Sequence, residues 1–436
     1  MMIPKTFYVY NFGCKVNQEE GEGISALLSG SGWRKAAKGE AARLYIVNAC
    51  AVTQTAEKKA RALLRRLRRE HPAALIVITG CLAQVAAAEL AKLNVANIIV
   101  GFNERADLAE LVELRLQKSE TVIKVSDIGN TSCFMPLAPL SKQQRARAYL
   151  KIEDGCDQSC HYCIIPKARG PVRSLALNKA VEGARQLILA GHQELVLTGI
   201  HIGAYGEDLP AGEDLLQLLE KILQIPGSFR LRLGSLEPQH FTEPLLALWA
   251  KEERICPHLH IPLQSASNKI LEAMNRSYSK QDYAALRDKL RTLRPGAAIT
   301  TDVMVGYPGE SNSDLAETHK FCQKMAFARM HVFPYSPRPG TVAAGLPDQI
   351  LPQEKKRRAA LLGSLAASLA EDYAQSYVGA QLEYLYEREI EFAGQPYYCG
   401  RSANYLQLLL SASTAPPSGF VAVTAKQYRH GYLICE

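Results

Sequence analysis

Short apolar runs alternate with longer amphipathic stretches in the first part of the chain. The apolar runs predict strands at residues 7–12, 44–48, 75–79 and 97–100, and helical spacing predicts helices at 20–28 and 57–69. Strands that alternate with helices in this way predict a parallel sheet with helices on its faces. We therefore predict an N-terminal α/β domain over residues 1–124.

A second alternating region follows a weakly periodic segment, predicted to be a linker at 125–141, that contains Gly129, Pro136 and Pro139. The strands predicted after it are residues 149–153, 194–198, 230–234, 258–261, 300–305 and 330–334. Six strands with interleaved helices and right-handed crossovers predict a partial (β/α)6 barrel rather than a closed eight-stranded one. We assign this barrel to residues 142–373.

The pattern changes after a long helix predicted at residues 352–377. Short alternating segments at 381–386, 405–410, 420–424 and 431–435 are separated by turn residues that include Gly394, Gly400 and Gly419. This pattern predicts a small all-β barrel over residues 374–436. The predicted fold class is α/β, with an N-terminal parallel sheet, a central partial barrel and this C-terminal β-barrel.

The composition is typical of a soluble globular protein, with 47% hydrophobic and 22% charged residues in a chain of 436. No apolar run approaches the roughly 20 residues that span a bilayer, and the first residues lack a secretory signal. We expect a cytoplasmic protein with no membrane partner. The net charge of +8 permits a polyanionic partner. Seven Lys and Arg residues at positions 58–69 would form either a solvated helix face or a phosphate-binding face.

Three cysteines, Cys156, Cys160 and Cys163, form a C-x-x-x-C-x-x-C motif after the first predicted strand of the barrel. In a cytoplasmic chain, cysteines favour metal binding or core positions over disulfides. Thiolates select iron–sulfur clusters, zinc or copper, and a closed zinc site requires four protein ligands. Three thiolates suit a cubane cluster with one open iron that binds a chelating substrate. A zinc loop is the alternative, but His161 could complete it only with strained geometry.

A second set of three cysteines, Cys14, Cys50 and Cys81, follows three different predicted strands of the N-terminal sheet. The carboxyl ends of parallel strands meet at one edge of a sheet, where such sheets bind ligands. If these strands are neighbours, the three thiols converge and form a second incomplete ligand set. Taken singly, each would more often be a core cysteine. The cysteines without metal-like spacing are Cys133, Cys256, Cys322, Cys399 and Cys435, of which Cys322 and Cys435 are predicted to be buried.

The segment Gly-Cys-Asp-Gln-Ser-Cys-His-Tyr-Cys-Ile-Ile-Pro-Lys-Ala-Arg-Gly closely resembles the radical S-adenosylmethionine superfamily, including the aromatic Tyr162. With Gly-Cys-Lys-Val-Asn-Gln and Cys-Ala-Val-Thr, the chain resembles the methylthiotransferase family over essentially its whole length. Within the family it is most similar to the branch that acts on N6-threonylcarbamoyladenosine, beside the anticodon of tRNA. Ala49 and Ala266 depart from the Thr and Gly that are common there. Further matching segments begin at Thr198, Gly234, Pro257, Thr301 and Val332.

The resemblance implies two 4Fe–4S clusters, one on each set of three cysteines, and S-adenosyl-L-methionine. It implies transfer of a methylthio group to carbon 2 of adenine, whose C–H bond general acid–base chemistry cannot easily replace. No catalytic side chain beyond the cluster ligands is expected. The implied partners are tRNA and a low-potential electron donor of the flavodoxin or ferredoxin type. The C-terminal barrel resembles a TRAM domain, which binds RNA, although its tyrosines could equally be core residues.

Polar residues at the predicted strand ends are candidates for cofactor binding. They are Thr198, Gly199, Arg232, Glu237, Gln264 and Asp302. The first two would bind the amino group of S-adenosylmethionine, and the next two its carboxylate or ribose. Each could equally be a structural group of the barrel interior.

Three alternatives stay open on the residues alone. Isopentenyladenosine in tRNA, or an aspartate of a ribosomal protein, is the substrate of sister families whose domains are similar. A noncatalytic RNA-binding zinc protein would be colourless, whereas an iron–sulfur protein is brown. A two-cluster electron carrier would require four cysteines for each cluster, which the spacing does not offer.

Overall fold

The N-terminal unit is a six-stranded parallel sheet in the computed structural model, which describes residues 5–37, 39–117, 120–136, 146–210, 212–413 and 416–436. Its strands are β1 (Thr6–Asn11), β2 (Arg34–Lys35), β3 (Leu44–Asn48), β4 (Leu75–Thr79), β5 (Ile98–Val100) and β6 (Val122–Lys124), and their order is β2-β1-β3-β4-β5-β6. Its helices are α1 (Lys15–Gly30), α2 (Gln54–Glu70), α3 (Cys81–Val85), α4 (Ala87–Lys92) and α5 (Leu108–Gln117). Fully buried strands such as β3 and β4 separate two apolar clusters, one on each face, in agreement with the predicted parallel sheet with helices on its faces.

The central unit is an open barrel of six parallel strands with a short antiparallel pair, β8 and β9, beside it. Its strands are β7 (Arg147–Lys151), β8 (Glu153–Asp154), β9 (Arg173–Ser174), β10 (Glu194–Thr198), β11 (Arg230–Leu233), β12 (His258–His260), β13 (Ala298–Val305) and β14 (Arg329–Pro334). Two three-stranded sheets, β7-β10-β11 and β12-β13-β14, meet through isolated bridges such as Leu231 with Ile255 and Ser235 with His260. The six main strands therefore follow one another in chain order, which confirms the predicted partial barrel.

The helices of the central unit cover the outside of this barrel. They are α6 (Ile165–Arg169), α7 (Leu177–Leu189), α8 (Leu215–Leu223), α9 (Glu243–Lys251), α10 (Asn268–Ala273), α11 (Lys280–Leu293), α12 (Asn312–Met325) and α13 (Pro352–Gln375). A large apolar cluster joins these helices, except α6, to the strands, whereas Ala168 of α6 belongs to an apolar cluster of the N-terminal unit. Residues 137–141, the end of the predicted linker, lie outside the described residues.

The C-terminal unit is a closed five-stranded β-barrel in the order β15-β16-β17-β19-β18. The strands are β15 (Gln381–Phe392), β16 (Gln395–Arg401), β17 (Gln407–Ser411), β18 (Phe420–Arg429) and β19 (Tyr432–Cys435). The all-β prediction is confirmed, but the expectation that Gly400 marks a turn is wrong, because Gly400 lies inside β16. A Cβ atom there would lie 2.3 Å from the buried ring of Tyr384, so the glycine admits a core aromatic across the strand.

None of the helices within the described residues combines the length and apolar character that a membrane crossing requires.

Candidate active site between two cysteine triads

The first set of cysteines lies at one edge of the N-terminal sheet, as predicted. Strands β1, β3 and β4 are parallel neighbours, and their last residues Asn11, Asn48 and Thr79 stand in register. The chain leaves each strand at this edge and reaches a cysteine within three residues. We call Cys14, Cys50 and Cys81 the auxiliary triad.

Two glycines allow the segments of the auxiliary triad to approach one another. A Cβ atom on Gly13 would lie 2.7 Å from Cβ of Cys50, and one on Gly80 would lie 2.5 Å from the Asn48 side-chain oxygen. Both glycines have positive φ angles, 110° and 87° respectively, which favour glycine. The Gly-Cys pairs of the sequence are therefore required by the fold of this edge.

The auxiliary triad lies in surroundings that suit an anionic thiolate cluster. Cys14 caps the N-terminus of α1, where the helix dipole favours negative charge. The Val52 backbone N–H donates to Sγ of Cys50 at 3.3 Å. Burial and the nearby cysteines raise the pKa of the Cys50 thiol, so binding iron requires the loss of a proton. These donors and dipoles fit a thiolate-bound cluster.

The second set, Cys156, Cys160 and Cys163, is held in a loop closed at its base by the antiparallel pair β8–β9. We call it the radical triad. His161 is engaged by contacts other than a metal: its backbone N–H donates to Met274 O at 3.1 Å, and its Nδ1 lies 2.9 Å from Ala273 O. This arrangement disfavours a zinc loop completed by His161.

The number of thiols in each set distinguishes a cluster from a closed zinc site. No group of three His, Cys, Asp or Glu side chains in the described ranges is placed to hold a single metal ion. A cubane cluster with one open iron takes three thiolates, one on each of the other irons, whereas a closed structural zinc site takes four ligands on one ion. Sets of three thiols therefore suit an open-cornered cluster.

A cavity of about 420 Å³ connects the three units of the protein. Cys14 and Lys15 enter it from the N-terminal sheet, and Tyr405 enters it from the C-terminal barrel. The remaining lining comes mainly from the inside of the central barrel, including the strand ends at Thr198 and Gly199. Cys14 of the auxiliary triad therefore shares one cavity with the strand ends of the barrel at which the sequence predicted cofactor binding.

Three of the candidate cofactor residues, Thr198, Gly199 and Asp302, line this cavity. A Cβ atom on Gly199 would lie 2.6 Å from a carboxylate oxygen of buried Glu153, so only glycine fits beside that carboxylate. Burial raises the pKa of Glu153 to about 8. Sequence reasoning missed Glu153, although it stands three residues before the radical triad.

The other three candidates, Gln264, Glu237 and Arg232, lie in different surroundings. Gln264 has a φ of 60°, and its buried side-chain oxygen has no hydrogen-bond partner within the described residues. Glu237 lies 2.7 Å from Arg276, which donates to Sγ of Cys160 at 3.1 Å. The fully buried guanidinium of Arg232 is occupied by the Glu194 carboxylate and by backbone carbonyls of the C-terminal barrel. We assign Arg232 to domain docking rather than to the cofactor.

A chain of polar contacts inside the barrel was also missed by sequence reasoning. Nε2 of His258 lies 3.1 Å from the Thr300 hydroxyl, and Nδ1 of His260 lies 3.0 Å from the same oxygen. Burial acts to raise the pKa of Asp302, but hydrogen bonds from His260 and His331 outweigh it and hold that pKa well below its usual range. The period-two spacing of these residues along their strands was the available signal.

Buried charges tie the two triads together. Arg169, six residues after Cys163, donates from Nε to Sγ of Cys81 at 3.3 Å. The same guanidinium binds Glu20 of α1 and Asp154, which precedes the radical triad by two residues, at 2.9 and 2.8 Å. One buried arginine thus contacts the auxiliary triad and the loop of the radical triad.

Comparison with known proteins is consistent with this geometry. Residues 6–101 match the family described as Uncharacterized protein family UPF0004, and residues 150–322 match the Radical SAM superfamily. Threonylcarbamoyladenosine tRNA methylthiotransferase MtaB of Bacillus subtilis is 36% identical, covering 94% of this chain and 91% of its own length. The tRNA-2-methylthio-N(6)-dimethylallyladenosine synthase of Pelotomaculum thermopropionicum is 31% identical, covering 98% and 97%.

Among solved structures, the fold is similar to that of the radical S-adenosylmethionine methyltransferase TsrM from Kitasatospora setae. The TM-score is 0.55 at 14% identity, covering 78% of this chain and 74% of that one. This likeness supports the arrangement of the fold alone. The two matched domains and the full-length relatives assign the protein to its family: the chain belongs to the radical S-adenosylmethionine methylthiotransferases, whose radical domain implies a 4Fe–4S cluster and S-adenosylmethionine.

Proposed function

We propose that the protein adds a methylthio group to carbon 2 of N6-threonylcarbamoyladenosine, next to the anticodon of tRNA. The observation that carries this proposal is the position of Cys14, which lines the same cavity as Thr198 and Gly199. A sulfur delivered at the auxiliary triad and a radical formed at the barrel end would therefore act on one substrate atom. Proximity of this kind is the main contribution that a protein makes when cofactors supply the chemistry.

The auxiliary triad holds a second 4Fe–4S cluster in this proposal, and the radical triad holds the first. With the cluster bound, S-adenosylmethionine would chelate its open iron, and one electron from the external donor would cleave the cofactor to give the carbon radical that an unactivated C–H bond requires. Arg169 links the two sites, because it contacts Cys81 of the auxiliary triad and Asp154, which precedes the radical triad by two residues. Arg276 donates a hydrogen bond to Sγ of Cys160 and forms an ion pair with Glu237. These two contacts fix the position of Cys160 in the radical triad.

The side chains at the barrel end orient the cofactor in this proposal. Thr198, the last residue of β10, offers its hydroxyl to the cofactor. Gly199, which has no side chain, lets the cofactor approach the backbone. The unpartnered oxygen of Gln264 is buried and is free to accept from the cofactor's amino or hydroxyl groups. Asp302 stays ionised because His260 and His331 donate to it, so it offers an anionic acceptor inside the barrel.

The RNA partner is supported by the charge of α2. Five of its basic residues are exposed, namely Lys58, Lys59, Arg65, Arg66 and Arg69. Arg61 and Arg68 serve the fold instead, through Glu57 and backbone carbonyls. The exposed face and the C-terminal barrel are the proposed tRNA contacts. We also propose that the protein is cytoplasmic and that a donor of the flavodoxin or ferredoxin type supplies its electrons.

Mass spectrometry of tRNA nucleosides tests the substrate directly. A strain that lacks the gene is expected to accumulate N6-threonylcarbamoyladenosine without its 2-methylthio derivative. The wild-type gene restores the derivative, and a gene encoding C14A/C50A/C81A does not. Loss of the methylthio derivative of isopentenyladenosine instead would assign the chain to the sister activity.

A further inference from the structure

Lys15 is a cavity lysine that forms no ion pair with an Asp or Glu oxygen of the described residues. It follows Cys14 directly and is half-buried. Its Nζ lies 6.0 Å from the centroid of the Tyr405 ring. A half-buried cation without a counter-ion is costly, so a ligand that brings an anion would stabilise it.

The other cations near Tyr405 contrast with Lys15 because acidic side chains already neutralise them. Arg147 lies 2.5 Å from Glu387 and 3.4 Å from Glu194. Arg232 binds Glu194 at 2.7 Å. Arg401 lies 3.2 Å from Glu387. Lys15 is therefore the cation in this group that remains available to an incoming anion.

We propose that Lys15 binds the carboxylate of the threonyl group on the substrate adenosine and thereby selects this nucleoside over adenosines with uncharged N6 substituents. The inference rests on the proposed function and names the residue that sets its specificity. The N6-threonylcarbamoyl group ends in a free carboxylate, whereas an isopentenyl group carries no charge. A lysine supplies a compact point charge with three donors, which suits one carboxylate.

The geometry of adenine places this carboxylate on the side of the auxiliary triad. Carbon 2 and the N6 amino group flank N1 on one edge of the ring. When carbon 2 faces the sulfur held at Cys14, the N6 substituent extends past the same edge. The residue that follows Cys14 is then within reach of that substituent. Tyr405 covers Lys15 from the C-terminal barrel, which limits competition from water.

The test compares K15Q and K15R with wild-type holoenzyme on three anticodon stem-loop RNAs. These carry N6-threonylcarbamoyladenosine, its carboxamide analogue, or isopentenyladenosine. Anaerobic assays give kcat/KM for methylthio transfer, and fluorescence anisotropy gives Kd. K179Q on the exposed face of α7 is the matched control, and iron content verifies that each variant is loaded.

We expect K15Q to lower kcat/KM and weaken binding on the carboxylate RNA by about 10- to 100-fold, the range for a charge-assisted hydrogen bond. We expect K15R to retain most of the kcat/KM and most of the affinity for the carboxylate RNA. The carboxamide RNA should react equally with wild type and K15Q. An equal loss on both RNAs, or no loss, would overturn the role of Lys15 while leaving the proposed function intact. Wild-type activity on the isopentenyl RNA alone would overturn both proposals.

Discussion

Nε of Arg169 donates a hydrogen bond to Sγ of Cys81 across a distance of 3.3 Å. The two residues are 88 positions apart in the chain and belong to different units of the fold. Arg169 is fully buried, and Glu20 and Asp154 neutralise it. The radical domain therefore contributes directly to the surroundings of the auxiliary triad.

Substitution of Arg169 is expected to change the second cluster, the one that we propose at the auxiliary triad. R169K keeps the charge but loses the planar fork and its bond to Cys81. Because hydrogen bonds to cluster sulfurs raise the reduction potential, we expect a lower potential for this cluster and an unchanged one for the radical cluster. Redox titration followed by electron paramagnetic resonance measures both.

R173K is the matched control for that measurement. Arg173 is also buried and lies 3.6 Å from Asp154, but it donates to Pro171 O rather than to a cysteine. Equal potentials in R169K and R173K would contradict the assigned role.

Glu194 is expected to dock the C-terminal barrel. Its fully buried carboxylate accepts from Arg147, Arg230 and Arg232, and the last two also donate to carbonyls of the C-terminal barrel. E194A leaves the buried Arg230 and Arg232 and the half-buried Arg147 without this partner, so we expect the free energy of unfolding to fall by about 3–5 kcal/mol. Urea denaturation measures this change.

A surface pair provides the comparison for E194A. Glu182 is exposed and lies 3.6 Å from Arg185, so E182A is expected to cost less than about 1 kcal/mol. Equal losses of unfolding free energy in E194A and E182A would contradict the docking role of Glu194.

Tyr405 is expected to titrate near neutral pH. Burial acts to raise its pKa, but Lys15, Arg401, Arg147 and Arg232 outweigh burial and lower it to about 8. The folded pKa lies below the unfolded value, so the phenolate adds stability that is complete above pH of about 10 and lost as pH falls through about 8. Ultraviolet titration of wild type should show one tyrosinate with a midpoint near pH 8.

Two variants separate Tyr405 from the other tyrosines. Y405F should remove the early step, whereas Y384F should retain it, because burial raises the pKa of Tyr384 far above this range. An early step that persists in Y405F would contradict the assignment.

The exposed face of α2 is expected to bind RNA phosphates. We expect K58A/K59A/R65A to weaken tRNA binding for all sequences and to reduce the slope of log K against log salt by about one for each lost contact. Anisotropy at several salt concentrations measures the slope. K179A/R185A, on the exposed face of α7, should leave it unchanged. An unaltered slope in the α2 variant would identify this face as merely solvated.

The sequence predicted what depends on local pattern. Apolar runs located the strands, and the rule for parallel strand ends predicted that Cys14, Cys50 and Cys81 lie together. Contacts between units could not be predicted in this way. The stacking of Tyr405 on His258, with ring centroids 4.3 Å apart, depends on how the C-terminal barrel docks. The docked C-terminal barrel also supplies the backbone carbonyls to which Arg232 donates. From its position at a strand end, Arg232 was expected to bind the cofactor.

Iron counting on anaerobically reconstituted protein tests the central claim that each set of three cysteines holds its own open-cornered cluster. The account predicts about eight irons per chain in wild type and in C133A, and about four in C14A/C50A/C81A, which should still cleave S-adenosylmethionine. Wild-type protein that binds only about four irons, or a triple variant that loses cleavage without losing iron, would contradict it.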